Sequence, residues 1–279
     1  MANPTKAKIF LSSWPSRFAL LMIALVVLMA IFAPWLHTQD PRFLDPAVRL
    51  KGPMPGHWLG TDAFGRDLYS RVIFGSRVSL LVGIGVLAIS IVFGVIFGAL
   101  AGFFRSLDSI IMRIMDGVMA IPAILLAIAL VSVSGASLTT VIIAIAVPEI
   151  PRVTRLVRGI MLSVRSEPYV EAAITLGTPA SAILVRHMLP STVAPLIVQG
   201  TYIFAAAVLI EAILSFLGAG IPPEIPSWGN IIADGRTYFQ LLPGLVMYPG
   251  IFLSLTILSI NLLGDAARDA LDPKLAARY

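Results

Sequence analysis

The chain has 279 residues, of which 58% are hydrophobic and only 13% charged, with a mean hydropathy of +0.92. Soluble domains carry about a quarter charged residues, so this composition excludes one and implies a polytopic, all-helical membrane protein of a single integral domain. The formal net charge of +5 reads as Lys and Arg in cytoplasmic loops rather than as a nucleic-acid surface. The absence of Cys excludes disulfides, thiol nucleophiles and Cys metal sites.

A spanning helix needs about 20 mostly apolar residues, and six stretches qualify in chain order. Residues 1–16 read as a cytoplasmic N-terminus and 17–36 as the first transmembrane helix. No A-x-A cleavage site is evident there, and Pro34, Trp35 and His37 follow the apolar run, so a retained span is expected rather than a signal peptide. Residues 37–78 form a long periplasmic loop. Near its end Thr61 reads as an N-cap with Asp62 in the next turn. From Leu68 the apolar residues Leu68, Val72 and Ile73 recur at helical spacing, while Arg66, Asp67, Ser70 and Arg71 take other faces. The expectation is an amphipathic helix on the outer membrane face, with Arg66 or Arg71 paired to local Asp.

Residues 79–279 form the core, with five further transmembrane helices. The second covers about 79–103 and carries Gly94, Gly98 and Gly102 on one face, which predicts close approach of another helix. The third covers about 112–133, where Arg113 and Asp116 are spaced to pair with each other. The fourth covers about 137–157. Its apolar part is short before Pro148, Glu149, Pro151 and Arg152, and it is expected to continue as helix into the interface. The fifth covers about 193–217 and the sixth about 243–264. Asp265, Arg268, Asp269 and Asp272 then read as a charged cytoplasmic helix end. Between the last two spans "PPEIPSWGNIIADGR", 222–236, predicts a short helix at the outer interface, with Trp228 and Tyr238 as interfacial anchors. An inside N-terminus and C-terminus put most Lys and Arg on the cytoplasmic side, including Lys6, Lys8, Lys274 and Arg278, and leave the outer loop "SVSGAS" uncharged.

The segment "EAAITLGTPASAILVRHMLP", Glu171 to Pro190, is too polar for a span and too well punctuated for a connector. Ser166 reads as the cap of a helix beginning at Glu167-Pro168, and Gly177 as its left-handed stop. Thr178 reads as a second N-cap with Pro179 at the first helical position. That second helix is expected to run to about Met188, with Pro190 closing it.

Three polar residues of the fifth span are gate or pathway candidates. Glu211 sits near the outer end of the fifth, where a carboxylate is costly unless it meets protein or water. It is either a gate residue or a carboxylate satisfied by a neighbouring helix or loop. Gln199 and Tyr202, three apart, either line a pathway or pack through hydrogen bonds. His37, His57 and His187 are scattered and form no metal site. No GxxxxGK[ST] occurs, so the chain has no Walker site of its own, and no motif of an intramembrane enzyme is present.

The Glu171-Ala172-Ala173, Gly177 and Leu189-Pro190 pattern resembles the EAA loop of bacterial ABC-importer permeases. The "RHMLP" form resembles the dipeptide/oligopeptide/nickel family of these permeases, the DppC/OppC type. "HWLGTDAFGRDLYSRVIFGSRVSL", "EAILSFLGAGIPPEIPSWGNIIADGR" and "NLLGDAARDALDP" resemble later and earlier segments of that family, so the likeness covers nearly the whole chain. The resemblance implies the type I ABC importer transmembrane fold. It implies that 167–190 is a coupling loop acting through Glu171, Ala172, Ala173, Gly177, Leu189 and Pro190, with no catalysis in this chain. It further implies a second permease as heterodimer partner, two ATPase subunits holding ATP and Mg, and a periplasmic substrate-binding protein. Peptide is the implied substrate, nickel or another small solute the alternative, and lipid the surroundings. The location implied is the bacterial inner membrane. An ion-coupled secondary transporter is the rival of another class; it needs internal repeats and intramembrane titratable groups, and the sequence offers mainly Glu211 and no obvious repeat.

Overall fold

The computed structural model describes residues 13–271. The expectations for Lys6, Lys8, Asp272, Lys274, Arg278 and most of the 1–16 segment lie outside the described residues. Among those described there are helices and loops but no strand.

Each helix start has a local cause. α1 (Trp14–Leu36) begins at Ser13, whose hydroxyl accepts from the Ser16 N–H at 3.3 Å, with Pro15 in the first turn. α2 (Leu68–Phe103) is 36 residues long and starts at Asp67, whose carboxylate accepts from the Ser70 N–H at 2.8 Å. The second span therefore extends upward well beyond residue 79. Thr61, expected to be the cap, instead donates its hydroxyl to the Val48 carbonyl, and Asp62 closes a local turn by accepting from the Phe64 and Arg66 N–H groups. The start of α2 is not an exposed amphipathic surface, because Leu68, Ser70, Arg71, Val72 and Ile73 are all buried.

The third expected span is bent. α3 (Arg105–Met119) and α4 (Ala123–Ser134) meet at 86° around Pro122. Proline disfavours helix in the residue before it and lacks an N–H for continuation. α5 (Leu138–Arg165) is continuous through Pro148 and Pro151 and is capped by Ser137, which accepts from the Thr140 N–H at 3.0 Å. α6 (Pro168–Thr175) leads through short helical turns to α7 (Val193–Phe216). α8 (Trp228–Gly235) and α9 (Gly244–Leu271) complete the bundle. α1, α2, α9 and the helical run ending in α7 are long and apolar enough to cross a membrane, and the bent α3–α4 pair is a fifth candidate. α5 has the length, but its charges lower its hydropathy.

The glycine stripe finds its partner in α5. A Cβ on Gly94 would lie 2.4 Å from the Val153 Cβ, one on Gly98 2.6 Å from the Val157 Cβ, and one on Gly102 2.4 Å from the Met161 Cβ. These are closer than carbon atoms can approach, so only hydrogen fits along this seam. Two ion pairs then hold α3 against α5. Arg158 grips Asp108 in a two-pronged contact at 2.5 and 2.7 Å, and Arg155 meets Asp116 at 2.7 Å. Asp116 thus pairs across helices, and the expected Arg113–Asp116 contact is not formed.

One end of the bundle, here the upper end, carries residues 37–67 and α8. Arg66 and Arg71 share Asp62 and Asp234 there. Arg66 lies 2.6 Å from Asp62 and 2.9 Å from Asp234, while Arg71 is 3.6 Å from each. The expected local pairing is present, and Asp234 of α8 joins it from far along the chain. Trp228 is fully buried rather than interfacial. Its indole N–H donates to the Val72 carbonyl at 3.0 Å, and its ring packs near Phe252. An indole that finds an acceptor inside the protein gains nothing from a headgroup layer. Tyr238 is half-buried.

Candidate functional site

The lower end carries the unit between α5 and α7. α6 begins after Glu167 with Pro168 in its first turn. Ser166 does not cap it; its hydroxyl donates back to the Ser163 carbonyl at 2.9 Å and finishes α5. α6 ends in a Schellman motif. The Thr178 N–H donates to the Ala173 carbonyl at 3.1 Å and the Gly177 N–H to the Ile174 carbonyl at 3.0 Å, with Gly177 at φ +74°. The expected stop at Gly177 is therefore present.

The second helix departs from expectation at both ends. Its cap position is Pro179, not Thr178, and no side chain caps it. One turn, Ala180–Ala182, opens into a π-helical stretch, Ile183–Met188, and then a 3-10 turn, Leu189–Thr192, that runs directly into α7. Pro190 does not close the helix. A proline in a regular helix collides with the carbonyl four residues back. The wider π turn, followed by the tighter 3-10 turn, re-routes the backbone so that the chain stays helical.

The unit has an inner and an outer side. Val170, Ala173, Ile183 and Met188 are buried in the main hydrophobic core. Fully burying a side chain such as Val170 or Met188 is worth roughly 1.5–3 kcal/mol, enough to hold the unit on the bundle. Tyr169 adds a hydroxyl contact to the His187 carbonyl at 3.4 Å. Glu171, Ala172, Gly177 and Pro190 are exposed, and Leu189 is half-buried. Leu176 is 85% exposed, and Val185 and Ile174 are 62% and 51% exposed. Apolar side chains held this far out on a rigid turn form a surface suited to contact with another protein.

The three polar span residues do not form one site. Gln199 lines a cleft of about 530 Å³ with Leu156, Pro195, Val198 and Arg268, and its side chain makes no hydrogen bond among the described residues. Tyr202 donates its hydroxyl to Asp265 of α9 at 2.7 Å. Glu211 is fully buried at the upper end, where its Oε1 accepts from Ser215 at 2.9 Å and Ser227 at 2.8 Å. Its Oε1 is thus satisfied by its own helix and the loop before α8, while Oε2 is buried without a hydrogen-bond partner, and no Arg among the described residues pairs with it. Ser227 also caps α8 by accepting from the Asn230 N–H at 3.1 Å. Ser227→Ala removes both contacts, so the purified protein should lose about 1–3 kcal/mol, read as a lowered melting temperature in detergent. Ser215→Ala, which removes one donor and no cap, should lose less.

Sequence reasoning passed over a buried acid. Glu149 is 1% exposed and accepts from Arg152 at 2.9 and 3.2 Å. The i, i+3 spacing of Glu149 and Arg152 is the available signal.

Residues 70–277 match the family of binding-protein-dependent transport system inner membrane components. The chain belongs to that family. Residues 7–53 match the N-terminal transmembrane domain of oligopeptide transport permease C. A probable peptide ABC transporter permease of Sinorhizobium fredii is 49% identical, over 90% of this chain and 86% of its own. The dipeptide transport system permease DppC of Alkalihalophilus pseudofirmus is 42% identical over 92% and 84%. The glutathione transport system permease GsiD of Pectobacterium atrosepticum is 39% identical over 91% and 85%. Among solved structures, the inward-facing MetNI methionine ABC transporter aligns with a TM-score of 0.60 and 19% identity, over 74% of this chain and 98% of that one. At that identity the likeness shows the fold. This inner membrane component is accordingly a multi-pass ABC-importer permease of the DppC/OppC type.

Proposed function

We propose that the chain forms, with a second related permease, the membrane pathway for di- or oligopeptides, and that residues 167–190 couple it to two ATPase subunits. The carrying observation is the outward-facing unit on the lower end, with Leu176, Ile174 and Val185 exposed on a frame anchored by Val170, Ile183 and Met188. Glu171, Ala172 and Gly177 lie on or beside that surface, and Leu189-Pro190 join it to α7 without a break. A push on the turns that begin at Ala180 therefore reaches α7 through continuous helix, and α6 meets those turns at the Gly177 bend. ATP and Mg belong to the ATPases, and this chain contributes no catalytic group and binds no cofactor. A soluble binding protein delivers peptide to the upper end, and ATP-driven closure below rocks the two permeases between inward-open and outward-open states. The named relatives for peptide, dipeptide and glutathione transport support a peptide substrate over nickel.

The arrangement has six crossings, counting the bent α3–α4 pair and α5 each as one, with both termini inside. Gln199 is the pathway candidate of this reading; Tyr202 and Glu211 are tied to protein partners. Topology is testable because the chain has no Cys. Ser70 is fully buried and unsuitable as a probe, whereas Trp58 is 60% exposed and Ser181 is also exposed. A Cys at 58 should react with a membrane-impermeant thiol reagent from outside, and one at 181 only from the cytoplasm. The reverse pattern removes the ATPase dock from the cytoplasm and the proposal with it. Glu171→Lys should lower the yield of ATPase co-purified from detergent.

A further inference from the structure

Glu149 and Arg152 share one turn of α5, with Pro148 just before Glu149 and Pro151 just before Arg152. Their depth follows from the contact with α2. Ser90 donates its hydroxyl to the Ala146 carbonyl, and Gly94 abuts Val153. Gly94 is about 13 Å above the lower end of α2 at Phe103, taking about 1.5 Å per residue. Arg152, next to Val153, therefore lies at the level of the apolar part of α2. Glu149 is buried, yet the Arg152 side chain is 53% exposed. A guanidinium at membrane depth is too costly to face lipid, and such groups face water or a partner.

The surroundings favour water. Leu156, one turn below Arg152 and on the same face of α5, lines the cleft that also holds Gln199 and Arg268. Arg152 spends Nη1 on Glu149, and its other nitrogens have no hydrogen-bond partner among the described residues. The polar side chains lining this cleft are Arg268 and Gln199, and Arg152 stands one turn above Leu156 on the same helix face, so the charged groups beside the cleft include two guanidinium donors. Of the acids beside Arg268 on α9, Asp265 accepts from Tyr202 and Asp269 is exposed, and neither lines the cleft.

We infer that Arg152, oriented by Glu149, is a cation of the translocation pathway that meets the carboxylate of a passing peptide. This rests on the importer reading. Arg152 supplies the geometry for a carboxylate, because its planar fork presents paired N–H donors. Glu149 fixes the fork and partly offsets its charge, so the contact holds the peptide weakly enough for release.

The test uses the complete importer with Cys-free partner subunits in proteoliposomes. Leu156→Cys in this chain reports the local charge through its reaction with an anionic and a cationic methanethiosulfonate of similar size. Both reagents should react, the anionic one faster. Adding Arg152→Gln should lower the anion-to-cation rate ratio about tenfold, because a unit charge one turn away is lost. Arg152→Lys should retain the ratio. In the Cys-free protein, Arg152→Gln should slow uptake of a free-carboxylate peptide at least tenfold while ATP hydrolysis continues. Removal of Arg152 alone strands a buried carboxylate. If that variant does not assemble, Glu149→Gln with Arg152→Gln is measured instead; it removes a pair of opposite charges, so the ratio should fall by less than in Arg152→Gln alone, while peptide uptake should still slow at least tenfold. A Leu156→Cys that neither reagent reaches, or a ratio unchanged by charge removal, overturns the inference. Absence of ATP-driven peptide uptake in the parent importer overturns the importer reading, whatever the labelling ratio.

Discussion

Gly98→Leu should prevent the permease from folding into a stable complex, and Gly98→Ala should already weaken it. An added Cβ would lie 2.6 Å from the Val157 Cβ and 2.7 Å from the Thr154 carbonyl oxygen. The second of these is backbone and cannot rotate away, so α2 and α5 must separate. Separation also loosens the seams at Gly94 and Gly102. Overpacking of a tight interior costs about 1–3 kcal/mol, which is the expectation for Ala, and Leu should exceed it. The measurement is the melting temperature and complex yield in detergent. Gly117→Ala is the matched control, because nothing lies within 4 Å of its added Cβ and alanine favours helix by about 0.8–1.0 kcal/mol. A Gly98→Leu protein as stable as the parent contradicts the seam.

Gly177→Val should act in the opposite way, leaving assembly largely intact and transport broken. Nothing lies within 4 Å of a Cβ at Gly177, so no collision occurs. The difficulty is the backbone, at φ +74°. An L-residue there pays roughly 1–2 kcal/mol, and a β-branched one is a clear outlier. The local response is to abandon the Schellman bonds, which turns α6 relative to the turns that follow. Peptide uptake should fall at least tenfold while the ATPase subunits still bind and hydrolyse ATP. Gly177→Asn should keep most of the uptake, since Asn tolerates the left-handed region. Coupled transport at the normal rate in Gly177→Val would show that the bend is not needed for force transmission.

The site was legible where its signals are local. Gly177 marks a helix stop because the backbone there needs no neighbour to explain it, and the Schellman bonds lie within six residues. Pro190 misled because its usual effect assumes a regular helix. The π turn that accommodates it depends on Ile183 and Met188 being pulled into the core. Thr61 misled for a similar reason. Its sequence context fits an N-cap, but its hydroxyl is taken by the Val48 carbonyl, and Asp67 becomes the cap. Glu149 interrupts the apolar run of α5, and its spacing to Arg152 already allows an ion pair.

The sequence by itself determined that this is a membrane permease, and most of where its helices run. Hydropathy acts over single stretches of about 20 residues, and glycine spacing on α2 already pointed to close approach of some helix. Which helix it is, α5, was decided only by the tertiary structure, as were the 86° bend at Pro122, the burial of Trp228 and the four-residue ion cluster joining Asp234 to Arg66. The reason is the range of the forces. Caps, turns and apolar runs are set by neighbours in sequence, whereas a buried charge or indole takes whichever partner the packed bundle brings within about 3 Å. Asp234 and Arg66 are 168 residues apart in the chain, and only the fold makes them neighbours.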